Sequence, residues 1–158
     1  MVEVGGLGER EDEAVLAREV ADRRHLALEV LGRSFRTQSD LQAAIRDGFP
    51  QSVVEEVRRS AGLTLKELAT SLDLSPRSLQ RRRREGRLAR YESDRLYRLA
   101  RIVGLAKHYL GDGQKATRWL KRPNRALGGS APLDAIDTEL GARGVENVLG
   151  RIAYGGVS

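Results

Sequence analysis

Apolar residues recur along this chain at spacings of three and four, and no stretch alternates between apolar and polar for long enough to read as a strand. The pattern predicts an all-α protein. Residues Glu13 to Leu31 read as one helix or a broken pair, preceded by an acidic, glycine-containing tail from Met1 that lacks the layout of a signal peptide. Ser39-Asp40-Leu41-Gln42 has capping-box spacing, Leu41, Ala44 and Ile45 share a face, and Gly48 is a stop. Pro50 suits the first position of a helix carrying Val53, Val54, Val57 and Ala61, which ends at Gly62.

The next two helices are short. Thr64-Leu65-Lys66-Glu67 forms a second capping box, with Leu65, Leu68, Ala69 and Leu72 facing inward. After a turn at Asp73-Leu74, Ser75 caps a helix with Pro76 at its first position, and Gly86 closes it. Ser93 is then expected to cap a long helix reaching about Leu110. Leu96, Leu99, Ala100 and Val103 form one apolar stripe on it, and Ile102, Leu105 and Tyr109 another. A helix apolar on two sides is a spine, buried between parts of this chain or between two subunits. Further on, Asp112 caps a helix bearing Ala116, Trp119 and Leu120 that Pro123 must end. Pro132 starts a short helix with Leu133, Ile136 and Leu140. Gly141 and Gly144 separate it from a last helix with Val145, Val148, Leu149 and Ile152, and residues Tyr154 to Ser158 read as a flexible tail.

Charge sharpens the picture. Seven arginines lie between Pro76 and Arg90 against one acid, Glu85, a local excess of +6 that equals the net charge of all 158 residues. The rest of the chain therefore balances. An excess confined to one helix and its flank is a field directed at a polyanion. Two capped helices joined by a tight turn describe a helix-turn-helix, whose second helix enters the DNA major groove. With Leu79 inward, Ser75, Arg77, Gln80, Arg81 and Arg84 face outward. Arginine forks suit guanine and glutamine suits adenine, which is direct base readout. Arg82, Arg83, Arg87 and Arg90 lie on the flanks and suit phosphates. Arg82 occupies a position that is usually apolar in such motifs. One unit reads few base pairs, so a homodimer on a two-fold operator is expected, with the two-striped helix and the N-terminal helices as candidate dimer surfaces.

Other classes find little support. The chain has no cysteine, which removes thiolate catalysis, disulfides and cysteine-based zinc sites. His25 and His108 stand in different elements and outside any metal-ligand spacing, and no nucleophile elbow or phosphate-cradling loop occurs. No cofactor, no metal and no catalysis are expected. No run is long and apolar enough to span a membrane, so a cytoplasmic protein is expected.

Specific residues resemble the Xre/MbcA/ParS antitoxin family. They are Ser75-Pro76-Arg77-Ser78-Leu79-Gln80-Arg81, Gly86-Arg87-Leu88, Glu92-Ser93-Asp94-Arg95-Leu96, Trp119-Leu120, Pro123-Asn124, Leu127-Gly128-Gly129, Pro132-Leu133-Asp134 and Leu149-Gly150-Arg151-Ile152 with Tyr154-Gly155. The resemblance spans about Asp40 to Ser158, and arginine at the Arg82 position is ordinary within it. It implies an antitoxin that binds and neutralises a RES-domain, NAD⁺-degrading toxin through its C-terminal segment. It also implies repression of the protein's own operon through operator DNA, and a homodimer inside a hetero-oligomeric complex. Carried onto this chain, the toxin-binding residues are Trp119, Leu149, Arg151, Ile152 and Tyr154, with Gly155, Gly156, Val157 and Ser158 as a tail occluding the toxin's active site. The expected organisation is an N-terminal tail and helix at 1–35, a candidate for dimerisation, a helix-turn-helix domain at 36–110 and a toxin-binding domain at 111–158. A stand-alone helix-turn-helix repressor is the alternative, and leaves residues 112–158 without a task beyond dimerisation.

Overall fold

A computed structural model describes residues 6–155. Among them nine α-helices occur, with no strand: α1 (Gly6–Leu31), α2 (Gln38–Asp47), α3 (Gln51–Ala61), α4 (Leu65–Ser71), α5 (Pro76–Glu85), α6 (Arg90–Leu110), α7 (Gly113–Lys121), α8 (Pro132–Ala135) and α9 (Glu139–Gly155). A 3-10 turn, Arg125–Leu127, precedes α8.

Most helix ends follow local chemistry. Thr64 and Glu67 cap each other's backbone at the start of α4, Ser75 accepts from Ser78 N at the start of α5, and Asp112 accepts from Gln114 N at the start of α7. Gly62, Gly86 and Gly111 take the left-handed conformation that closes α3, α5 and α6.

Four expectations need correction. The N-terminal segment is one unbroken helix from Gly6, so residues 6–13 belong to it; residues 1–5 lie outside the described residues. The capping box of α2 is Thr37 with Asp40, two residues before the expected one. Ser93 caps nothing: α6 begins at Arg90, where Glu92 reaches back to Ala89 N at 2.7 Å, and the buried Ser93 hydroxyl accepts instead from Phe49 N at 2.8 Å. Gly141 and Gly144 do not break the C-terminal segment but lie inside α9. Gly141 is there because a Cβ would stand 1.7 Å from the Ala135 carbonyl oxygen.

The spine reading holds. Both stripes of α6 are buried except for the half-buried Tyr109, covered by α1, α2, α3, α7 and α9 of the same chain. One continuous core runs from Val30 to Leu149, with α6 through its middle. Helix α1 crosses closely over α6, where a Cβ on Gly104 would lie 2.6 Å from the Leu26 carbonyl oxygen.

Candidate functional site

The helix-turn-helix is built as the pattern demands except at Leu65, expected to face inward but 41% exposed in the first turn of α4. Leu68, Ala69, Leu72 and Leu79 are buried between α4 and α5. The turn depends on Asp73, whose φ of 53° is left-handed, a conformation aspartate tolerates better than most residues. Leu74 N then donates to Ala69 O at 2.8 Å. Arg95 of α6 secures the turn from below through Leu72 O at 3.3 Å and the Asp73 carboxylate at 3.6 Å.

The far end of α5 is tied down by backbone. Gln51 N donates to Gly86 O and Leu88 N to Phe49 O, at 2.9 and 3.0 Å, a short antiparallel bridge joining the loop before α3 to the loop after α5. Gly48 permits it, since a Cβ there would stand 2.1 Å from the Leu88 carbonyl oxygen. With both ends fixed, α5 presents Ser75, Arg77, Gln80, Arg81, Arg83 and Arg84 to solvent. Ser75 also serves as the N-cap, its oxygen bound to Ser78 N. A rigid helix with this array can neutralise phosphates and offer hydrogen-bond forks to base edges.

Two arginines are otherwise occupied. Arg82 donates Nε to both Glu92 carboxylate oxygens at 3.0 and 2.9 Å, and Nη1 to Glu85 at 2.8 Å. These carboxylates raise its pKa further. The expectation that Arg82 meets phosphate is corrected: it clamps α5 onto the start of α6. Arg87 spends Nη1 on the carbonyls of Asp47 and Gly48 at the end of α2, at 3.2 and 2.8 Å. The sequence pattern missed this because both partners lie in other elements.

The C-terminal third is held to α6 by ion pairs. Arg101 meets Glu139 at 2.8 Å and Glu146 at 2.6 Å, while Arg98 meets Glu139 at 3.2 Å and the Asp137 carbonyl at 3.1 Å. Burial opposes the charge on Arg101, but the two carboxylates outweigh it and raise its pKa. Asn124 organises the preceding loop by accepting from Ala126 N through its side chain at 2.9 Å and from Gly129 N through its carbonyl at 3.0 Å. Gly128 and Gly129 turn there at positive φ.

The expected partner-binding residues divide. Trp119 is half-buried and lines a hollow of about 420 Å³ with Leu110, Arg118, Arg122 and Pro123. Arg151, Ile152, Tyr154 and Gly155 lie exposed along the last turns of α9, which corrects the expected tail: Tyr154 and Gly155 are helical, and Tyr154 rests edge-on against Tyr109 at 6.1 Å. Leu149 is 0% exposed and belongs to the core, a correction: it anchors α9 to α6 and offers no surface. Ile136, just past α8, is buried likewise. Gly156, Val157 and Ser158 lie outside the described residues. Leu140, expected in the short helix that Pro132 starts, is instead 82% exposed in the first turn of α9. Its exposure follows from α9 starting at Glu139, which the two glycines concealed.

Among the described residues no group of three His, Asp or Glu side chains could hold a metal, and no helix is long and apolar enough to cross a membrane.

Comparison with known proteins matches both halves. Residues 40–101 fit the family model described as the antitoxin Xre-like helix-turn-helix domain, and residues 105–155 the one described as the antitoxin Xre/MbcA/ParS C-terminal toxin-binding domain. The chain is 34% identical over 120 residues to the antitoxin Xre of Photorhabdus laumondii, covering 75% of this chain and 81% of that relative. It is 32% identical to the antitoxin Xre of Yersinia enterocolitica, covering 71% and 77%, and 33% identical to that of Pseudomonas putida, covering 73% and 72%.

Proposed function

The chain belongs to the Xre/MbcA/ParS antitoxin family, a helix-turn-helix antitoxin of a toxin–antitoxin system, and from that premise we propose how its two halves act. The cognate toxin is a RES-domain enzyme that degrades NAD⁺. The exposed turns of α9, with Trp119 and the residues that follow Gly155, bind the toxin and occlude its active site. Exposed helix α5 binds operator DNA in the protein's own promoter and represses the shared operon. Arg77, Gln80 and Arg81 read bases, Arg83 and Arg84 hold phosphate, and Ser75 sets the start of the helix. The protein works in the cytoplasm as a regulator without catalysis, a homodimer within a hetero-oligomeric complex. The division between the DNA-binding and toxin-binding parts falls near residue 110, at the end of the shared helix α6.

The observation that carries this reading is the separation of two exposed surfaces on one core. Five arginines surround α5, and all but Arg82 are free of strong ion pairs there, since Arg81 approaches Glu85 only to 3.8 Å. Exposed on α9 are Leu140 in its first turn and Ile152 and Tyr154 near its end, apolar groups of the kind that anchor protein interfaces.

Co-expression with the product of the adjacent gene tests it. The two proteins should copurify, and the complex should shift a duplex carrying the promoter. A stand-alone repressor would shift the duplex and capture no toxin.

A further inference from the structure

Helix α1 is far longer than the body it packs on. Its second half is embedded, with Ala27, Val30 and Leu31 in the core. Every residue from Arg10 to Arg23 is exposed. Among the described residues, Arg23 alone of that stretch makes an ion pair with another helix, meeting Glu146 of α9 at 3.2 Å. A polar helix with so little beside it gains little from packing and is marginal in water.

The exposed half is not uniformly polar. At 100° per residue, Leu16 and Val20 continue the stripe that Ala27 and Leu31 present to the core. They are 61% and 54% exposed. Charge along the same face is segregated: Asp12 and Glu13 lie before the apolar pair, Arg23 and Arg24 after it. Val20, Arg23 and Arg24 also form one wall of a cleft of about 590 Å³, whose other walls include Tyr97 of α6 and Arg143 of α9. Arg24 has no ion-pair partner among the described residues, and Arg143 only a 3.8 Å approach to Glu139.

We propose that the first half of α1 pairs antiparallel with the same segment of a second copy, about a two-fold axis near Arg18. This rests on the homodimer proposed above and says which surface makes it. Leu16 and Val20 lie two residues either side of residue 18, so each meets the other's counterpart across the axis. Asp12 and Glu13 lie about 9 Å to one side, at 1.5 Å per residue, and Arg23 and Arg24 a similar distance to the other. A two-fold axis perpendicular to the helices brings the acidic flank of each copy against the basic flank of the other. It sets Asp12 opposite the partner's Arg24, and Glu13 opposite the partner's Arg23, which already holds Glu146 of its own chain at 3.2 Å. The face is self-complementary, as an isologous contact requires.

Sedimentation of the full chain across a concentration series tests this, with two sets of variants. The wild-type chain should reach twice the 17.5 kDa chain mass, and L16D/V20D should stay at one chain mass with unchanged helicity. Because the chain has no cysteine, D12C and R24C give a clean orientation test. Mixed and oxidised, the two should form a disulfide-linked heterodimer, whereas D12C alone should not cross-link, as it would in a parallel pair. A monomeric wild type, a dimeric L16D/V20D, or self-linked D12C overturns the proposal. If L16D/V20D instead loses the toxin while the wild type sediments as a monomer, this face serves the toxin and the proposal fails. Toxin capture by a monomeric L16D/V20D leaves the antitoxin reading standing. Its absence in the wild type defeats that reading alone.

Discussion

Arg82 on the recognition helix and Glu92 on the spine helix form the joint between DNA reading and the rest of the molecule. Arg82 Nε lies 3.0 and 2.9 Å from the two Glu92 oxygens, one of which also accepts from Ala89 N. A single carboxylate therefore starts α6 and fixes the orientation of α5. Glu92→Ala should cost about 1–3 kcal/mol, as expected for removing one partner of a charged, mostly buried hydrogen bond. Urea titration measures this, and an unchanged midpoint would contradict the assignment. Arg82→Ala should lose DNA binding only in proportion to its loss of folded protein.

Arg81 and Gln80, by contrast, should contribute to recognition without contributing to stability. Replacing either by Ala removes one bidentate pairing with a base edge. Discrimination between operator and mismatched duplex should then narrow by about 1–3 kcal/mol, with thermal melting unchanged. Arg83→Ala or Arg84→Ala should weaken all duplexes alike and reduce the log–log salt slope by about 1. Competition binding at several salt concentrations separates the two behaviours.

These distinctions show what could be read from the chain. Signals between neighbours were legible: the Thr64–Glu67 box, Ser75 with Pro76, Asp112, and the glycines after α3 and α5 all act within one turn of their own helix. Pairings across the fold were not. Arg82 looks like another surface cation until α6 folds back beneath it, and Leu149 looks like an anchor until α9 lies on the spine. Ser93 is a good cap by type, but the chain uses Glu92 to cap α6 from inside and gives the serine to Phe49. Glycines 141 and 144 resemble a turn because the close approach that requires Gly141 involves Ala135, in another element.

Gly104 should be among the least replaceable residues. An added Cβ would meet the Leu26 backbone at 2.6 Å, and neither helix can yield without moving the core. Gly104→Ala should cost about 1–3 kcal/mol through overpacking. For a chain of this size that lowers Tm by roughly 2–4 °C per kcal/mol. Gly150→Ala, with open space around it in α9, should instead raise Tm through helix propensity. Calorimetry of both variants checks the contrast.

Acid should weaken the fold through two carboxyls. Arg58 holds the Glu55 carboxyl below its ordinary value of 4.5. Burial pushes Glu67 up, but the Thr64 backbone N–H and Lys121 outweigh it and hold that group low as well. A depressed carboxyl stabilises the folded state above its unfolded pKa, and that contribution disappears as pH falls through the folded one. Stability should be flat from neutrality to about pH 5 and fall below 4.5. Glu67→Gln should be less stable at neutral pH and show a shallower decline, measured by urea midpoints against pH.

The most direct test of the antitoxin reading is the cellular NAD⁺ level when the adjacent toxin is co-expressed with a chain lacking residues 153–158. Those residues follow the last buried positions of α9, so the truncated chain should fold and still shift its operator. If the terminal turns occlude the toxin's active site, NAD⁺ should collapse with the truncated chain and be preserved with the full one. Preserved NAD⁺ with both would contradict the account.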